Sequence, residues 1–88
     1  MDDTTTSTTI TILGGTGDLG TGLALRWLSA RHRVVIGSRT AEKALESVAK
    51  LRQVLSEHGV GEPDVEGMDN LGAAQVGTLA VLTVPFAH

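Results

Sequence analysis

Residues 9–31 read TITILGGTGDLGTGLALRWLSAR, and the change of period inside this stretch decides the fold. Thr9 to Gly14 is an apolar, β-branched run ending in glycine, which suits a buried strand. From residue 17 to 31 the spacing becomes helical: Leu19, Leu23 and Trp27 recur at i, i+4, i+8, with Ala24 and Leu28 beside them. Between strand and helix lies Gly15-x-Gly17-x-x-Gly20. A glycine-rich loop alone is a weak signal. One that leaves a strand and opens an amphipathic helix is a phosphate-binding turn. Each glycine then has a physical role. Gly15 permits the tight turn, Gly17 lets a pyrophosphate approach the backbone, and Gly20 lets the helix pack closely. The N–H groups of Thr16, Gly17, Asp18 and Leu19, with the helix dipole, favour an anion there.

Working outward, the alternation continues. Arg33 to Gly37 is a second strand without polar alternation, as expected when helices cover both faces. Residues 41–57 form a second helix with Ala41, Ala44, Leu45, Val48, Leu51 and Leu55 on its apolar side. Thr40 is its expected N-cap, His58-Gly59 its exit, and residues 61–64 a turn. Val65 to Met68 reads as a short third strand, Asp69 to Val76 as a short helix, and Thr78 to Val84 as a fourth strand stopped by Pro85. The order β-α-β-α-β-α-β predicts an α/β, Rossmann-type parallel sheet with helices on both faces, incomplete at about four strands, ordered 3-2-1-4.

The end of the second strand selects the ligand. NAD-binding units place Asp or Glu there for the ribose 2′-hydroxyl. This chain instead has Gly37-Ser38-Arg39-Thr40. Ser38 offers a hydroxyl, Arg39 a planar charged fork suited to phosphate, and Lys43 a further positive group one turn into the helix. Two charged hydrogen bonds to a 2′-phosphate would favour NADP over NAD on the order of 100-fold or more.

Composition bounds the remaining possibilities. The chain has 88 residues, enough for one domain. A net charge of −3 argues against a nucleic-acid or anionic-membrane surface. Without cysteine there is no disulfide or thiolate metal site, and no apolar run reaches the roughly 20 residues of a membrane helix. Residues 1–8 read as a disordered polar leader without signal-peptide character, so the expected compartment is the cytoplasm. Residues 9–88 read as an NADP-binding domain truncated at its C-terminal end. His32 and His58, at helix ends, read as surface residues and Trp27 as core. No catalytic acid, base, nucleophile or metal ligand is expected.

Four blocks carry a family resemblance: ILGGTGDLGTGLALRWL, VVIGSRTAEKA, VEGMDN and LAVLTVPFAH, in that order and spacing. From about Ile10 onward the chain resembles the N-terminal domain of NADPH-dependent coenzyme F420 reductases. More distantly it is similar to pyrroline-5-carboxylate reductases. The resemblance implies hydride transfer between NADPH and coenzyme F420, a 5-deazaflavin. It places Thr16, Gly17, Asp18 and Leu19 on the pyrophosphate and Ser38, Arg39 and Lys43 on the 2′-phosphate. Val84 and Pro85 would line the nicotinamide, with Phe86 and His88 near the deazaflavin. It also implies a homodimer formed through a C-terminal domain absent here. Two departures stand out: the family often has Asn in place of Asp18 and a basic residue in place of Thr21. Alternatives are a reductase of the pyrroline-5-carboxylate type and a stand-alone, non-catalytic NADP-binding module.

Overall fold

The computed structural model describes residues 9–14, 18–77 and 79–82. The expected leader over residues 1–8 lies outside them. Seven elements alternate: β1 (Thr9–Leu13), α1 (Asp18–Ser29), β2 (Arg33–Ser38), α2 (Ala41–Glu57), β3 (Val65–Asp69), α3 (Asn70–Val76) and β4 (Leu79–Leu82). The strands form one parallel sheet in the order β3-β2-β1-β4, as the alternation predicted.

Side-chain alternation divides the core between the two faces. Ile10, Ile12, Val34, Ile36 and Val65 pack with Ala24 and Leu28 of α1 and with Ala44, Val48, Leu51 and Leu55 of α2. The intervening residues serve α3. Thr11 is buried and its hydroxyl donates to the Ala73 carbonyl at 3.1 Å. A Cβ on Gly37 would stand 2.9 Å from Ala73 Cβ. The central strands β1 and β2 are buried on both faces because helices cover both.

Helix ends and faces refine the sequence reading. α1 stops at Ser29, short of residue 31, because Arg31 turns left-handed at φ 72°. The His32 N–H then reaches Trp27 O at 3.0 Å and the Arg31 N–H reaches Leu28 O at 3.0 Å. This closes the helix as a glycine would, but with an arginine. Among the described side chains and backbone of α1, the fully buried stripe is Gly20, Ala24 and Leu28, while Leu23 and Trp27 are half-buried flanks against the core. In α2 the buried face is Ala44, Ser47, Val48, Leu51 and Leu55; Ala41 is exposed and Leu45 is 55% exposed. The apolar side is therefore flanked by Ser47, not by Ala41 and Leu45 as expected. α2 ends as predicted: Gly59 is left-handed at φ 83°, and the Val60 N–H reaches Leu55 O at 2.8 Å. β3 runs one residue further than expected, to Asp69.

Candidate dinucleotide site

In a parallel sheet of this kind ligands sit outside the carboxyl ends of the strands. Here that edge is formed by Leu13, Ser38, Asp69 and Leu82. Gly14 follows β1 with φ 72°, a left-handed conformation that glycine adopts without steric cost. α1 begins at Asp18, so the N–H groups of Asp18, Leu19 and Gly20 lie in its first turn and lack an acceptor within the helix. Gly20 is buried, at the head of the stripe that packs on the sheet. Gly15, Thr16 and Gly17 lie outside the described residues, as do Val84, Pro85, Phe86 and His88.

The second part of the site is the β2–α2 junction. Ser38 ends β2 and is 4% exposed. Arg39 and Lys43 are exposed. Between them Thr40 is extended at φ −128°, ψ 150°, and its hydroxyl accepts from the Lys43 N–H at 3.2 Å. This N-cap fixes where α2 starts and so holds Ser38, Arg39 and Lys43 in one short segment. The ion pairs among the described residues join Arg33 to Asp64 at 3.7 Å and to Glu66 at 2.7 Å. Those residues lie at the amino end of β2 and near the start of β3. Among the described residues, Arg39 and Lys43 are thus not committed to a carboxylate and can receive an anion.

Two residues at this edge escaped the sequence reading. Asp69 stands beside Ser38 in the register of β2 and β3, and its carboxylate accepts from the Gly72 N–H at 2.8 Å as the N-cap of α3. It places a negative charge near the serine, although no carboxylate ends β2 itself. Asn70, the first residue of α3, accepts from the Gly14 N–H through Oδ1 at 3.3 Å. Both lie in the VEGMDN block, but only strand register brings them to β1 and β2.

A groove lined by Leu25, Ser29, Val54, Leu55 and His58 runs between α1 and α2. It lies at the C-terminal ends of those helices, remote from the carboxyl edge of the sheet. His58 there is exposed, with Nδ1 2.9 Å from Val54 O. Among the described residues no three His, Cys, Asp or Glu converge as metal ligands, and no helix is long and apolar enough to cross a membrane.

A parallel sheet ordered 3-2-1-4, a glycine leaving β1 left-handed, and a helix starting at the same edge define a Rossmann-type α/β domain. Similarity to known proteins narrows this class. Residues 9–88 match the family described as NADP oxidoreductase, coenzyme F420-dependent, and the chain belongs to that family. Similar relatives are archaeal proteins named F420-dependent NADP reductase. That of Methanocaldococcus jannaschii is 44% identical over 79 residues, covering 90% of this chain and 34% of the relative. That of Methanothermobacter thermautotrophicus is 46% identical over 76 residues, covering 86% and 32%. The Methanothermobacter marburgensis protein is 45% identical over 76 residues, covering 86% and 33%. The chain therefore spans about a third of the length of these relatives.

Proposed function

We propose that this chain is the NADP(H)-binding part of an oxidoreductase that passes hydride between NADPH and coenzyme F420. The observation that carries the reading is the placement of two anion-receptive features on one sheet edge. One is the start of α1 behind the left-handed Gly14; the other is Ser38-Arg39 at the capped start of α2. The family membership and the names of the relatives agree with it.

In this reading the turn from Gly15 through Gly20, with Thr16, Gly17, Asp18 and Leu19, holds the pyrophosphate through backbone N–H groups. Ser38 donates its hydroxyl to the 2′-phosphate, while Arg39 and Lys43 neutralise it. Val84 and Pro85 line the nicotinamide, with Phe86 and His88 on the deazaflavin side. Once bound, the nicotinamide and the deazaflavin supply the hydride chemistry themselves. The protein contributes alignment and keeps water from the hydride path, and the proton that balances the reduction of the deazaflavin would come from solvent. Residues 9–88 form a single NADP-binding domain, and the relatives' additional length supplies the rest of the deazaflavin site and a homodimer contact. We further infer a cytoplasmic protein of archaeal type that does not engage nucleic acid, in keeping with its net charge of −3.

The test is an assay of the complete gene product with NADPH and coenzyme F420. Reduction of the deazaflavin is expected. Activity confined to pyrroline-5-carboxylate would replace this reading with an imine reductase of related build, and NADP binding without turnover would favour a non-catalytic module.

A further inference from the structure

We propose that Asn70 is a positioning residue for the glycine-rich turn, holding its entry in shape for the pyrophosphate; this rests on the function proposed above. Gly14 is the hinge at which the chain leaves β1, left-handed at φ 72°. Glycine enters that conformation freely and leaves it as freely, so a glycine-rich turn carries a large ordering cost when a ligand fixes it. The side chain of Asn70 restrains it. Its Oδ1 accepts from the Gly14 N–H at 3.3 Å across 56 residues of sequence, in a half-buried setting.

The carboxamide is itself braced. A Cβ on Gly37 would lie 2.9 Å from Asn70 Oδ1, so the bare backbone at Gly37 opens the path along which Asn70 reaches β1. Asp69 caps α3 through Gly72, and the Thr11 hydroxyl ties Ala73 of the same helix to β1. A Cβ on Gly77 would collide with the Thr11 side chain, so the bare backbone there permits the far end of α3 to lie close to β1 as well. Asn70 therefore projects from a helix docked along its length. A neutral acceptor suits the place: it holds an N–H without setting a charge beside the anion the turn receives.

The experiment compares Asn70→Leu and Asn70→Asp with the parent in the full 88-residue chain. Leucine fills similar volume without an acceptor; aspartate keeps the acceptor and adds charge. Three readouts are taken: NADP affinity by calorimetry, affinity for adenosine 2′-phosphate, which reaches only the Ser38–Arg39 end, and hydrogen exchange of the Gly14 amide. In Asn70→Leu we expect NADP affinity to fall about tenfold, faster Gly14 exchange and unchanged adenosine 2′-phosphate binding. In Asn70→Asp, Gly14 stays protected, while NADP weakens at low salt and recovers as salt rises. Parent-like NADP affinity in both variants would overturn the inference. So would an equal loss of both ligands, which marks general damage. If Asn70→Leu does not fold, Asn70→Ala, which also removes the acceptor, is read in the same three ways and decides instead. A parent chain that binds no NADP sinks the proposed function and this inference with it, an outcome distinct from parent binding with unaffected variants.

Discussion

Arg39 follows a buried serine and precedes a capping threonine, and it is exposed and outside the ion pairs of the described residues. Its guanidinium has no structural duty among those residues that its loss would disturb. Arg39→Ala should therefore weaken NADP by roughly 10- to 100-fold, leave NAD affinity within about twofold and leave the melting temperature in place. Parallel calorimetric titrations check this, and unchanged NADP affinity would remove Arg39 from the site. Gly67 makes the opposite kind of contribution. A Cβ there would stand 2.9 Å from the backbone carbonyl carbon and oxygen of Ala44, atoms that cannot step aside. Gly67→Ala should force β3 and α2 apart and lower stability by about 1–3 kcal/mol in a denaturant titration. The role of Ser38-Arg39 as ligand candidates was legible from residue type and position at a strand end. The need for glycine at 67 was not, because it depends on how closely one helix backbone crosses one strand.

At the scale of elements, caps decide where the site residues stand. Thr40 holds the first turn of α2 through the Lys43 N–H. Thr40→Ala should cost about 0.5–2 kcal/mol of stability. It should also loosen NADP, because Arg39 and Lys43 flank the frayed turn; thermal unfolding and NADP titration report the two effects separately. Asp69 caps α3 but sits beside Ser38 in the sheet register. Asparagine caps as well as aspartate and carries no charge. Asp69→Asn should thus preserve stability and raise NADP affinity roughly two- to fivefold at low salt, an effect that higher salt erases. The order of elements could be read from the chain because hydrophobic period changes sharply at each glycine-rich junction. The exit of α1 could not, since Arg31 occupies a left-handed position that sequence normally signals with glycine. Nor could the tilt of α2, whose buried flank carries Ser47 while Leu45 faces out. The meeting of Asn70 with Gly14 required the register of three strands and the docking of α3 together.

At the scale of the molecule, the sheet is well covered in its centre and less so beside β4. Leu79 of that edge strand is 51% exposed. Among the described residues β4 pairs only with β1, and an apolar side chain beside its other edge invites pairing with another chain. The 88-residue chain should therefore associate as its concentration rises. Leu79→Lys should suppress this in sedimentation measurements while leaving NADP affinity within about twofold. The opposite end of the sheet, where Arg33 meets Asp64 and Glu66, is polar and remote from the carboxyl edge, the candidate cofactor edge. Under the proposed function, one end of that cofactor edge receives a pyrophosphate and the other a 2′-phosphate. Side-by-side calorimetric titration of the chain with NADP and NAD tests this most directly. NADP should bind more tightly by about 100-fold or more, the difference that two charged hydrogen bonds to the extra phosphate supply. Equal affinities, or a preference for NAD, would contradict it.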